Sequence, residues 1–137
     1  MIDIAKAVRG YLLADATLSA LVSTRVFVGP VPKEQASSMP KACVAMRMAG
    51  GPESRDYVAL TNQRFDVFCY GANEIGAVEV QRAVQDSLKY LSRYVQGDTL
   101  LHGANPSGAI GPIQDMDTNW PVVIQSFMVL AAEVAIV

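Results

Sequence analysis

Residues 64–95 read RFDVFCYGANEIGAVEVQRAVQDSLKYLSRYV, and two hydrophobic periods meet inside this one stretch. Up to Tyr70 the pattern alternates, with Phe65, Val67 and Cys69 on one side and Arg64, Asp66, Phe68 and Tyr70 on the other. That period of two is the signature of a strand. From Ala77 the apolar residues Ala77, Val80, Val84, Leu88, Leu91 and Val95 recur at steps of three and four, which commits one face of a helix to a core. Asn73 is placed to cap this helix and Gly97 to end it. On its wet side Glu79 with Arg82, and Asp86 with Lys89, are spaced for ion pairs worth a few tenths of a kcal/mol each.

Upstream, residues 42–48 alternate Val44, Met46 and Met48 against Cys43, Ala45 and Arg47, so this segment and residues 57–70 read as an antiparallel hairpin. Its tip, residues 49–56, is too long for a tight turn and carries Glu53, Arg55 and Asp56, so it is expected to project into solvent or toward a partner. Residues 29–40 hold three prolines within a polar run and read as a loop after a short strand at 25–28. Before them, Ile4, Val8, Tyr11 and Leu12 mark an amphipathic helix over residues 3–14. Asp15 and Thr17 open a second helical turn that buries Leu18, Leu21 and Val22.

Downstream, residues 99–102 and 109–114 read as short strands broken by residues 103–108. In the last element the even positions Val122, Ile124, Met128, Leu130, Ala132, Val134 and Ile136 are apolar apart from Ser126, a pattern that asks for a covered face. The odd positions mix Gln125 and Glu133 with Val123, Phe127, Val129 and Ala131, so that side reads as only partly committed to water. The order helix, strands, helix, strands predicts one α+β domain over 1–137, a mainly antiparallel β-sheet with two helices packed on one face.

Composition narrows the function classes. With 137 residues and 51% hydrophobic content the chain can bury a core without a metal or disulfide. Eleven basic against thirteen acidic residues leave no excess positive charge for gripping phosphates. The N-terminal residues lack the basic-then-apolar pattern of a signal peptide, and the apolar end of the chain is too short to cross a bilayer, so neither export nor a membrane partner is expected. In that setting Cys43 and Cys69 are expected to be reduced, packed as small hydrophobes.

No catalytic or cofactor signature emerges. The single histidine, His102, has no nucleophile or orienting acid at a recognisable spacing. Asp115, Asp117 and Asn119 alternate like the opening of a calcium loop, but Trp120 stands where the turn needs glycine and Ser126 where a bidentate glutamate belongs. Gly50-Gly51 and residues 108–111 lack both the spacing and the lysine of a phosphate-binding loop. No metal and no cofactor are expected, and the chain reads as a structural or interaction protein. A different class stays open beside it: a small α+β enzyme or ligand-binding domain with a site assembled from Asp115, Asp117 and His102.

Residues 15–27, an acidic residue, two spaced leucines and then Arg25-Val26-Phe27, resemble the N-terminal signature of the tail-terminator (tail-completion) proteins of long-tailed bacteriophages and gene-transfer particles. Pro40 ahead of the Val44 strand, Arg64-Phe65-Asp66-Val67, and the helix with Ala83-Val84 and Leu88 follow in that family's order; Ser23 stands where members often have glycine. The resemblance covers residues 1–95. It implies a virion protein forming a homo-oligomeric ring, a hexamer, that caps the tail tube, stops its polymerisation and offers a surface to the head-closure protein. Duplex DNA would pass through the pore without specific binding, which suits a slightly acidic chain. The resemblance also admits another neck component, a head-closure or adaptor protein. The partner surface is expected at Glu53, Arg55 and Asp56, and at Asp115, Asp117 and Trp120.

Overall fold

The computed structural model describes residues 3–37, 39–48, 53–55, 58–114 and 119–133. Asp3 opens α1 (Ile4–Leu13), its Oδ1 accepting from the Lys6 N–H at 3.0 Å, and Asp15 opens α2 (Ala16–Val22) by accepting from the Leu18 N–H at 2.9 Å. Each cap satisfies a backbone donor that the first helical turn leaves free. Next come β1 (Val26–Val28), a short α3 (Lys33–Ala36), β2 (Cys43–Met48), β3 (Glu53–Arg55) and β4 (Val58–Tyr70). Asn73 caps α4 (Glu74–Lys89) through the Gly76 N–H at 2.8 Å, and β5 (Tyr94–Gln96), β6 (Thr99–Gln114) and β7 (Pro121–Glu133) complete the chain.

The sheet runs β1-β2-β4-β7-β6-β5, with β3 paired to β4. Among the described residues only β1 and β2 are parallel, and the other pairings are antiparallel. The expected hairpin is present, with Cys43 opposite Tyr70 and Met48 opposite Phe65. Gly71 is required where β4 turns into α4, because a Cβ there would lie 2.2 Å from the Ala77 nitrogen. One core cluster joins Val8 and Leu12 of α1, Leu18 and Val22 of α2, and Val80, Val84 and Leu88 of α4 to Val44, Met46, Phe65, Val67, Val123, Phe127 and Val129 of the sheet. Burial of this kind stabilises by about 1.5–3 kcal/mol per large side chain. The Tyr11 hydroxyl ties α1 to α4 by donating to the Ser87 carbonyl at 2.8 Å.

Arg25 of the N-terminal signature has a structural task. Its Nε donates to the Ala42 carbonyl at 2.9 Å, holding the end of α2 against the approach to β2. Ser23 ends α2 at φ 56° and ψ −122°, a conformation that glycine adopts with less strain.

Several sequence expectations are corrected. The long helix stops at Lys89, so Val95 is not on its buried face; it lies on β5 and is exposed. Gly97 does not end the helix but turns the β5–β6 hairpin at φ +58°. Glu79 and Arg82, and Asp86 and Lys89, form no ion pairs; Lys89 instead lies over the Tyr90 ring, 5.6 Å from its centroid. Residues 33–36 make a helix inside the stretch read as loop, and two more helices than the expected pair are present. Residues 103–108 do not break a strand: β6 is continuous and absorbs the glycines and Pro106 as register shifts near Leu101, Pro106 and Ile110. Within the hairpin tip, residues 53–55 form a strand that pairs with β4, where no strand was expected.

The largest correction concerns β7. Its odd residues Val123, Phe127, Val129 and Ala131 belong to the main core, and the apolar even residues lie on the other side of the sheet. Gln125 can be buried on the core side because the Gln81 side chain of α4 donates to its Oε1. Positions 134 and 136 lie outside the described residues.

Candidate interaction surface

Among the described residues, the side of the sheet away from the main core is covered only at one end. There Cys43, Ala45, Tyr70 and Val122 pack with Phe27, Val31, Met39, Phe68, Ile124 and Trp120. Further along, register places Arg64 beside Met128, Asp66 beside Ser126 and Phe68 beside Ile124. Ser126 Oγ donates to Asp66 Oδ1 at 2.7 Å, and Arg64 Nη2 donates to the same carboxylate at 3.4 Å and to Ser126 Oγ at 3.2 Å. The pair neutralises itself beside the uncharged β6, and on its other flank Arg47 of β2 stands opposite Asp66 with its guanidinium 5.0 Å from the centroid of the Phe68 ring. Beside it lies a depression of about 520 Å³, bounded by Arg64, Gly108, Ile110, Ile124, Ser126 and Met128.

Strand β6 forms the rim. Beyond its start it has no strand partner on its outer side among the described residues, since β5 pairs only with residues 99–101. Residues 105–114 are exposed throughout, Ile110 at 63%, and none of them is charged. Edge strands are usually guarded by charge. Here Pro106 and Pro112 lack N–H donors and the ladder is irregular, so the edge is poorly suited to adding a strand, and what it offers is an uncharged, partly apolar face.

The residues expected to meet a partner are only partly placed. Glu53 and Arg55 lie on β3, opposite Asn62 and Val58. Asp56, Asp115 and Asp117 fall outside the described residues. Trp120 is half-buried, its ring edge-on to Tyr70 at 5.7 Å between centroids and an interplanar angle of 84°. Sequence reasoning missed Arg64, Ser126 and Ile110 as neighbours; their adjacency depends on a β4-β7-β6 pairing that no local pattern specifies. The apolar even positions of β7 were the available signal, assigned to the wrong side of the sheet.

Reactive chemistry finds little support. Burial pushes the Cys43 thiol up to about 11, against the lowering effect of Arg25 and Lys41, and burial raises Cys69 further. Both thiols are therefore protonated and poor nucleophiles near neutrality. They sit on neighbouring strands but on opposite sides of the sheet. His102 lies at the first register shift of β6, and the other two residues of its candidate site, Asp115 and Asp117, lie outside the described residues. Among the described residues no cluster of His, Cys, Asp or Glu could hold a metal ion, and no helix is long and apolar enough to cross a membrane.

These features define an α+β domain with one side of its sheet filled by helices and the other presenting a partly apolar surface bordered by the uncharged β6. No family model and no curated protein matches the sequence. Among solved structures, the fold is similar to that of a chain in the virion of a native gene transfer agent particle, with 22% identity, a TM-score of 0.65 and 94% of each chain covered.

Proposed function

We propose that this chain is a structural subunit of a phage-like virion, acting at the head-proximal end of the tail tube as a tail terminator. The observation that carries the reading is the fold likeness over 94% of both chains to a component of a gene transfer agent virion. The order of residues 15–27, with Arg25 holding α2 to the approach of β2, supports the terminator assignment within that class. In this reading the chain assembles as a homohexameric ring, stops polymerisation of the tube protein, and joins the head-closure protein. It carries out no catalysis, uses no cofactor, and lets duplex DNA pass without gripping it. Glu53, Arg55 and Asp56, with Asp115, Asp117 and Trp120, are the proposed docking residues toward tube and head.

The test is electron microscopy of the purified protein, alone and with tail tubes. Rings seated on tube ends that block further growth are expected. A ring that binds only the head side would replace the terminator by a head-closure or adaptor role, and a protein that stays monomeric with tubes present would overturn the ring itself.

A further inference from the structure

A ring requires each subunit to present two different patches to its two neighbours, whereas a single self-complementary patch gives a two-fold dimer. The exposed large apolar residues include two groups at opposite margins of the sheet. At the β1–β2 margin stand Val28, 49% exposed, and Met48, 54% exposed. Toward the β6 margin stand Ile110 and Ile113, beside the depression floored by Ile124 and Met128.

The two groups face opposite ways. Val28 is in register with Met46 and Met48 with Phe65, both core residues, so they lie on the helix side of the sheet past the cover of the helices. Ile124 and Met128 are in register with Phe68 and Arg64, on the other side. Laying one onto the other joins unlike surfaces and is therefore head-to-tail. The groups also stand level along the strands: Met48 is opposite Phe65, Phe65 opposite Phe127, and Phe127 opposite Pro106, while the depression spans Ile124 to Met128. Level patches let successive copies close into a flat ring, whereas an offset would make them climb as a filament. Charge agrees at the depression itself, because residues 105–114 carry none and Arg64 is paired with Asp66, while Arg47 stands on β2 at the far flank of Asp66, over the Phe68 ring and outside the depression.

We infer that the occupant of the depression is a second copy of this chain: the β1–β2 margin of one subunit, with Val28 and Met48, overlaps the open face of the next at Ile110, Ile124 and Met128. The inference rests on the ring reading above and names the contact that closes it. Arg64 sits at the centre of this contact, held by Asp66 and Ser126, where an interfacial arginine contributes most.

Thiol cross-linking tests the contact, since Cys43 and Cys69 are buried and protonated and contribute little background. The double variant Val28→Cys/Ile110→Cys, assembled and oxidised, is expected to give a ladder of covalent oligomers up to the full ring. Either single variant is expected to give none. Cross-linking of Ile110→Cys alone would show open faces meeting two-fold and overturn the inference, as would intact rings of the double variant without cross-links. Separately, Ile110→Asp is expected to remain folded, because the residue is exposed, and to lower the ring fraction about tenfold or more by placing a charge in a closed contact. If Ile110→Asp rings are normal, the overlap is wrong and the ring stands. If the parent forms no ring even on tail tubes, the ring reading fails and the overlap with it.

Discussion

Phe127 and Met128 are neighbours on β7, yet Phe127 is 1% exposed in the main core while Met128 borders the depression on the other side of the sheet. The apolar residues of both sides are similar in kind, and the core side even contains Gln125. What distinguishes the sides is the matching surface: α4 brings Val80, Val84, Leu88 and a glutamine partner to one, and the described residues bring cover to only one end of the other. A strand can thus be apolar on both sides and be filled from within on only one.

The sharpest way to break this comparison is to place one carboxylate on each side. Phe127→Asp is expected to prevent folding, since an unpaired buried charge costs several kcal/mol against a total stability of about 5–15 kcal/mol. Met128→Asp is expected to give soluble, folded protein impaired in assembly. Circular dichroism and thermal melting of the two variants decide it, and similar melting temperatures would show that the sides had been misassigned.

The two thiols compare the sides by titration, Cys69 in the main core and Cys43 in the smaller cluster. Both are raised by burial above the ordinary value of 9.0, Cys43 to about 11 and Cys69 beyond it. Above pH 9 the unfolded chain loses protons that the fold retains, so their contribution is complete below pH 9 and declines as pH rises. The slope is about 1.4 kcal/mol per pH unit for each thiol. It ends near pH 11 for Cys43 and continues further for Cys69. Urea unfolding from pH 8 to 11 should show a steeper decline for the parent than for Cys69→Ala; equal slopes would count against a buried thiol there.

A smaller effect tests why the core side tolerates Gln125. Gln81→Leu removes the donor to its Oε1 and is expected to cost about 1–3 kcal/mol, while adding Gln125→Leu should recover much of the loss. A double-mutant cycle in urea measures this, and simple additivity would rule out the pairing. The smallest expected change touches neither side. Ser23→Gly relieves a positive φ at the end of α2 and should raise stability by about 0.5–1 kcal/mol after the entropy cost of glycine, read as a modest rise in Tm. A fall in Tm would mean that Ser23 is not strained there.

Much of the architecture was legible because it is written locally. Asp15 and Asn73 cap the helices they were expected to cap, and the three-and-four spacing of Ala77, Val80, Val84 and Leu88 marks a buried helical face. The helix end was misjudged because Leu91 is also buried, though beyond the helix, so it extended the spacing past Lys89. The break at residues 103–108 was misjudged because glycine and proline interrupt an isolated strand, whereas pairing with β7 can carry them as register shifts.

The sequence by itself determined that this chain is an α+β domain with alternating strands and amphipathic helices, because backbone period, capping and turn chemistry act over a few residues. Only the tertiary structure decided which side of β7 is the core and which residues meet around Arg64. A period-two strand is the same strand with either side inward, and the choice was made by α4 and by the order β4-β7-β6, contacts between segments tens of residues apart.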